Sequence, residues 1–174
     1  MGNLATALLS KRLDGISPSV RRAQPADVAA LTRMINRAFQ VEAFFVDGER
    51  TGEREVRSLA ELGHFLVLDA GGELAAAVYV RIDAEAGVGV IAMLAVAPEV
   101  QGLGLGTRLI AVAEALCTAL GCTATRLDIV NLRAELGPWC RRRGYLEVGT
   151  APYDHRPVKR ACHVVRMQKA LPGC

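Results

Sequence analysis

A glutamine and three glycines stand close together in the middle of the chain, in the segment QGLGLGT of residues 101–107. Glycine has no Cβ, so a glycine-rich loop lets an anion come close to backbone N–H groups. Apolar residues at helical spacing follow the loop and predict a helix, whose first N–H groups have no partner inside it. A loop before the positive end of a helix dipole is typical of a phosphate or pyrophosphate site. The other interpretation, a merely flexible turn, explains the three alternating glycines less well.

Three loop chemistries compete for this pattern. A P-loop needs a lysine after its last glycine, whereas Gly106 is followed by Thr107 and then by an arginine. A dinucleotide fingerprint fits Gly102 and Gly104 but finds Thr107 at its last place, and Asp128 lies about where that motif puts its ribose-binding acid. This alternative stays open from the residues alone. The third pattern, Gln-x-x-Gly-x-Gly, is met in full by Gln101, Gly104 and Gly106.

At this pattern the chain resembles the GNAT superfamily of acyl-CoA-dependent N-acetyltransferases, in which the loop holds the pyrophosphate of coenzyme A. The strand before the loop, MLAVAPE of residues 93–99, is similar to the central strand of that family. The stretch LDIVNLRAELGPWCRRRGY of residues 127–145 resembles its fifth strand, the short helix that follows and a Gly-Tyr step. The resemblance covers about residues 20–171.

The elements that position the loop are predicted to form a mixed sheet. Asp27 is expected to cap the first helix, and an apolar run from Val88 to Val96 predicts a buried strand. We predict strands over residues 20–24, 64–69, 74–82, 88–96 and 125–130, and helices over about residues 25–38, 53–62 and 104–120. A strand–helix–strand step implies parallel pairing. The fold class is therefore α/β, a GNAT-like mixed sheet with helices on both faces. An antiparallel meander before the loop counts against a dinucleotide fold.

Composition indicates one globular domain. The chain has 174 residues, of which 51% are hydrophobic, and a net charge of +3. We expect an N-terminal arm over residues 1–18 and a single acetyltransferase domain over residues 19–171. Basic residues are dispersed and aromatic residues few, which speaks against a nucleic acid partner. Five cysteines without a ligand-like spacing predict no metal, and no run is long enough for a membrane span. We expect a cytoplasmic protein, with a homodimer left open.

The resemblance implies acetyl-CoA as the cofactor. Its pantetheine arm would lie between the central strand and the strand after the crossover helix, and would pair with backbone groups of Leu94, Ala95 and Val96. The residues implied for the pyrophosphate are Gln101, Gly102, Leu103, Gly104, Leu105, Gly106 and Thr107. Asn131 ends the next strand, where similar enzymes often place an asparagine near the cofactor. An asparagine there is equally an ordinary turn residue.

Two residues are candidates for proton transfer. The family commonly carries a tyrosine, the acid for the departing thiolate, four residues before the glycine of the Gly-Tyr step; here Cys140 stands there. Three outcomes follow: Cys140 replaces the tyrosine as the acid, the thiolate leaves unaided or through water, or the activity is low. Cys140 is equally explained as a small residue buried on a helix. Glu42, in the irregular segment 40–52, could act as a base through water, or it is a solvated loop charge. Asp128 could be a strand residue at the surface of the sheet.

The acceptor side is expected in residues 40–52 and 150–163. Phe44, Phe45 and Tyr153 could form the wall of a pocket for an apolar or aromatic amine. The predicted function is transfer of an acetyl group from acetyl-CoA to a primary amine, of a small molecule or a peptide, by direct attack in a ternary complex. The missing tyrosine motivates one alternative, an acyl-CoA-binding regulatory protein with little transfer activity. A nicotinamide-dependent oxidoreductase is another.

Overall fold

A computed structural model describes residues 19–70 and 72–172, so the predicted arm, residues 1–18, lies outside the described residues. The strands are β1 (Ser19–Arg22), β2 (His64–Ala70), β3 (Glu73–Asp83), β4 (Val88–Val96), β5 (Ala124–Val130), β6 (Leu146–Pro152) and β7 (His163–Ala170). The helices are α1 (Val28–Phe39), α2 (Glu53–Leu62), α3 (Leu105–Ala119) and α4 (Leu136–Arg141). Short 3-10 helices cover Pro25–Asp27, Gln40–Glu42 and Pro98–Val100. The central strand β4 begins and ends where the sequence predicts.

The seven strands follow the order β1-β2-β3-β4-β5-β7-β6 in one sheet. β1, β2 and β3 pair antiparallel, β4 and β5 pair parallel, and β7 pairs antiparallel with both β5 and β6. The parallel step spans the crossover helix α3, as the strand–helix–strand pattern requires. This confirms the predicted fold class, an α/β mixed sheet.

The described part of the chain divides into two compact units, and the first comprises residues 19–40, 49–70, 72–80 and 93–113. Its core combines Leu31 and Ile35 of α1 with Val67 and Val78 of the sheet, all at most 1% exposed. Asp27 directly precedes α1 as predicted, but it caps in an unexpected way. Its carboxylate accepts the N–H of Gln24 at 2.7 Å instead of an N–H of α1.

The second unit comprises Val41–Gly48, Arg81–Ala92 and Glu114–Cys174. At its centre Tyr145 is fully buried, and its hydroxyl donates to Glu114 Oε1 at 2.9 Å and lies 3.0 Å from Thr125 Oγ1. Lys169 completes the network through Glu114 Oε2 at 2.7 Å. These partners satisfy a polar group that would otherwise be costly to bury. The Gly-Tyr step of the sequence therefore anchors the core of this unit.

A close approach of α3 to the sheet explains one glycine of the second unit. A Cβ built on Gly89 of β4 would lie 2.2 Å from the Sγ atom of Cys117, which is fully buried. Only glycine fits there without displacing the helix. Within residues 19–70 and 72–172, every helix is too short or too polar to cross a membrane. The predicted single domain, residues 19–171, stays a prediction.

Candidate active site

The glycine-rich loop follows β4 directly and leads into α3. Gly102 has a φ of 82° and Gly104 a φ of 79°, in the left-handed region that glycine adopts without steric cost. A Cβ at either position would meet no heavy atom within 4 Å. The backbone conformation, rather than a lack of space, therefore requires glycine here.

Gln101 gives the loop its shape. Its side-chain Nε2 donates to the carbonyl oxygen of Val96 at 3.1 Å, which joins the loop to the end of β4. The next residue, Ala97, donates its N–H to Ala75 O at 2.9 Å and so holds the strand end on β3. The glutamine of the pattern thus has a positioning role that its type and spacing do not reveal.

The loop leads directly into the first backbone amides of α3. The first helical hydrogen bond of α3 runs from Arg108 N to Gly104 O at 3.0 Å, so the N–H groups of Leu105 and Gly106 have no acceptor within the helix. Residues 101–104 are exposed. Amides at the N-terminus of a 15-residue helix, next to an accessible glycine loop, fit a pyrophosphate group.

Met93, in the middle of β4, has a strained backbone. Its φ is 48°, and it is the one non-glycine residue with positive φ among residues 19–70 and 72–172. The β4–β5 ladder comprises four pairs, from Val88↔Ala124 to Ile91↔Leu127, and Met93 comes two residues after its end. Such a conformation costs about 1–3 kcal/mol and is concentrated at functional sites. No feature of the sequence indicates it, because methionine is not typical of left-handed backbone.

The two segments predicted for the acceptor side lie against each other in the second unit. Lys159 N donates to Phe45 O at 2.8 Å, and Asp47 N donates to Pro157 O at 3.1 Å. Val46 and Val158 form an antiparallel bridge between these hydrogen bonds. The structure therefore brings together Val41–Gly48 and residues 153–160, as the prediction for this side requires.

Glu42 is buried, and the expectation of a solvated loop charge is wrong. The residue is 5% exposed. Its Oε2 accepts from Arg156 Nη2 at 2.6 Å, and its Oε1 accepts from Arg133 Nη1 at 3.4 Å. Each oxygen therefore accepts one charge-assisted hydrogen bond from a guanidinium group. The role of Glu42 as a base stays a prediction, and this pairing argues against it.

The three predicted aromatic residues differ in exposure. The ring of Phe45 is fully buried, with its centroid 4.8 Å from Phe44 and 6.4 Å from Tyr153. Phe44 is 47% exposed and Tyr153 is half-buried. Phe44 and Tyr153 therefore have surface that an acceptor could contact. Phe45 lies beneath them as core, so the structure does not support its predicted place in a pocket wall.

Cys140 lies on α4 and is 1% exposed. Burial raises the pKa of its thiol to about 11, so the thiol is protonated at neutral pH but is a weak acid.

Asn131 makes two hydrogen bonds with His163: its Oδ1 accepts from His163 N at 2.8 Å, and its backbone N donates to His163 O at 3.0 Å. The catalytic role of Cys140 and the cofactor role of Asn131 stay predictions. Asp128 pairs with Arg166 at 3.2 Å and is exposed.

The sequence model of the Acetyltransferase (GNAT) family matches residues 29–145, which is more than half of the chain. This chain belongs to the GNAT acetyltransferase family. Membership confirms the predicted enzyme class, an acetyltransferase, with acetyl-CoA as its cofactor. It also counts against the alternative function, a nicotinamide-dependent oxidoreductase. Within the described residues, no group of three or more His, Cys, Asp or Glu side chains is placed to hold a metal ion.

Solved structures of GNAT acetyltransferases share the fold. The ribosomal-protein-S18-alanine N-acetyltransferase from Escherichia coli is 15% identical, with a TM-score of 0.72 over 90% of this chain and 96% of that chain. YncA from Salmonella typhimurium, a putative acetyltransferase solved with its cofactor acetyl-CoA, is 19% identical, with a TM-score of 0.73 over 91% and 96%. A phosphinothricin acetyltransferase from Sinorhizobium meliloti, in complex with acetyl-CoA, is 19% identical, with a TM-score of 0.72 over 90% and 89%. A comparison with curated proteins found no match.

Three residues of interest escaped the sequence analysis: Met93, Arg133 and Arg156. The backbone strain at Met93 has no signature in residue type. The two arginines are 23 positions apart and stand among many other basic residues, so nothing in their spacing links them to Glu42. Only the structure shows that they share one carboxylate.

Proposed function

We propose that this GNAT acetyltransferase transfers the acetyl group of acetyl-CoA to a primary amine, by direct attack in a ternary complex. The observation that carries the proposal is the loop of residues 101–107, with left-handed glycines directly before the first backbone amides of α3. We infer that these amides hold the pyrophosphate, because a helix N-terminus behind a glycine loop is a ready anion site.

The strand before the loop supplies the remaining backbone contacts. Backbone groups of Leu94, Ala95 and Val96 would bind the pantetheine arm, and an N–H there would polarise the acyl carbonyl oxygen. The positive φ of Met93 supports this role, because strained backbone is concentrated at functional sites and Met93 immediately precedes these three residues. When bound, acetyl-CoA supplies a thioester carbonyl that an amine can attack. We propose that Asn131 contacts the same cofactor from the end of β5.

The acceptor would bind beside Phe44 and Tyr153. Their exposed surfaces suit an amine that carries an apolar or aromatic group, while Phe45 supports them from the core. The similar structures include an enzyme named for a ribosomal protein alanine and one named for phosphinothricin. Both peptide and small-molecule amines therefore belong among the acceptors to be tested. Cytoplasmic location and homodimer formation stay predictions.

The test is a panel of primary amines, from small metabolites to peptides with free N-termini, incubated with acetyl-CoA. Release of the free thiol is measured by a colorimetric reagent, and the acetylated amine is identified by mass spectrometry. We expect thiol release that depends on both the enzyme and an amine. Tight binding of acetyl-CoA without release by any amine would favour the regulatory protein over the enzyme.

A further inference from the structure

Three charged side chains are packed together in the second unit, away from solvent. The side chains of Glu42, Arg156 and Arg133 are 7%, 10% and 16% exposed. Glu42 accepts one hydrogen bond from each arginine, at 2.6 Å from Arg156 and 3.4 Å from Arg133. We name these residues the Glu42 cluster. Burial of three charges has a large desolvation cost, so their arrangement must be well satisfied.

Each arginine of the Glu42 cluster has further partners that belong to different stretches of the chain. Arg156 Nη1 donates to Gly48 O at 3.4 Å, and its Nε donates to the hydroxyl of Tyr153 at 3.3 Å. Arg133 Nε donates to Glu135 Oε1 at 2.6 Å. The side chains of the cluster therefore connect Val41–Gly48, residues 133–135 and residues 153–156, in addition to the backbone hydrogen bonds of Phe45 and Asp47.

The segment that carries Phe44 depends on these contacts. Besides the bridge of Val46 to Val158, the regular structure in Val41–Gly48 is limited to the end of the 3-10 turn Gln40–Glu42. The guanidinium of Arg156 donates hydrogen bonds near both ends of the segment, to Glu42 and to Gly48 O. Lys159 Nζ donates to Ala43 O at 2.9 Å. A segment held in this way presents Phe44 in one place, with its ring against Phe45, which in turn contacts Tyr153.

We propose that Glu42 is a positioning residue for the acceptor, acting through Arg156, and is not the general base. This inference rests on the proposed function, because it concerns the acceptor side of the transfer. A base must meet the amine or a water, whereas both oxygens of Glu42 face guanidinium groups inside the cluster and its side chain is only 7% exposed. Loss of its charge would loosen Val41–Gly48 and displace the surface beside which the amine binds.

The kinetic test uses Glu42→Gln, which keeps the shape of the side chain and removes its charge. With an amine from the panel, we expect the KM for the amine to rise about tenfold, while kcat changes less than threefold and the KM for acetyl-CoA less than twofold. The pH dependence of kcat/KM should keep its shape. A fall in kcat of a hundredfold or more, with loss of one limb of that profile, would show a base and overturn the proposal.

A double variant tests whether Glu42 acts through Arg156. If it does, Glu42→Gln combined with Arg156→Gln raises the KM for the amine no further than the more severe single variant. Multiplication of the two single effects would contradict this. Glu53→Gln is the matched control, because it removes one partner of an exposed ion pair, 3.1 Å from Arg57, and should leave all constants within twofold.

A proteolysis experiment tests the positioning without any acceptor. Lys159 and Arg160 are exposed trypsin sites directly after Val158, whose bridge to Val46 holds Val41–Gly48. We expect Glu42→Gln to speed cleavage there at least fivefold relative to other sites, and Glu53→Gln to leave it unchanged. Equal rates in the wild type and Glu42→Gln would refute the positioning role even if no amine is acetylated. If Glu42→Gln does not fold, Arg156→Lys, which keeps the charge and removes the fork, takes its place.

Discussion

The loop of residues 101–107 and the Glu42 cluster are built in opposite ways. The loop acts through backbone amides, and it needs glycine at Gly102 and Gly104 because the backbone has positive φ there. The Glu42 cluster consists of side chains whose charged ends meet across 114 positions of sequence. A site built from backbone can be identified from a short sequence motif, because its glycines lie within a few residues of one another in the chain. A site built from distant side chains leaves none.

The two constructions should respond differently to substitution. In the loop, a change of side chain that leaves the backbone intact should be tolerated, whereas an added Cβ at a left-handed position should not. In the Glu42 cluster, loss of one partner leaves a buried charge without a counter-charge. The following variants test this contrast, in order of decreasing expected effect.

The largest effect is expected from Glu42→Leu. Removal of one partner from a buried ion pair typically costs about 3–5 kcal/mol, because the remaining charges keep their desolvation penalty. We expect the free energy of unfolding to fall by about 3 kcal/mol, measured by urea denaturation. Glu53→Leu, which breaks the exposed pair with Arg57, should cost less than about 1 kcal/mol. A loss below about 1 kcal/mol for Glu42→Leu would show that the cluster is not a buried network in solution.

A smaller loss is expected from Gly89→Ala, where space rather than conformation requires glycine. The new methyl group would lie 2.2 Å from Cys117 Sγ and 2.9 Å from its Cβ, so α3 must move. Overpacking of this kind costs about 1–3 kcal/mol of stability. Gly149→Ala is the control, because a Cβ there meets nothing within 4 Å. Addition of Cys117→Ala should recover part of the loss, and no recovery would mean that the clash is not the cause.

The loop itself is tested by Gly104→Ala. Left-handed backbone costs an alanine about 1–2 kcal/mol, so the amides at the start of α3 would shift or become strained. We expect acetyl-CoA to bind on the order of tenfold more weakly in a calorimetric titration. Leu103→Ala changes an exposed side chain and keeps the backbone amide, and should stay within about threefold. Equal losses in both variants would mean that side chains, rather than amides, make the contact.

How much the sequence could predict follows from the same contrast. The run from Val88 to Val96, the glycine loop and the start of α3 are local features, so pattern and spacing were sufficient. The burial of Glu42 was not predictable, because it depends on Arg133 and Arg156, which only the fold brings near. Phe44 and Phe45 illustrate the same limit: two adjacent phenylalanines look alike in sequence, and only the structure shows that Phe45 is buried while Phe44 is exposed.

The smallest effect is expected at Cys140, and it completes the comparison. If transfer depends mainly on backbone groups of β4 and the loop, then loss of the one candidate acid side chain should change little. Burial raises the pKa of the Cys140 thiol to about 11, above the value of about 8.5 for an ordinary thiol, so donation of its proton to a departing thiolate is unfavourable. We expect Cys140→Ala to keep kcat within about twofold, measured by thiol release well below the unfolding temperature. A loss of fiftyfold or more, partly restored by Cys140→Tyr, would assign the acid to this position, and the site would then depend on a side chain after all.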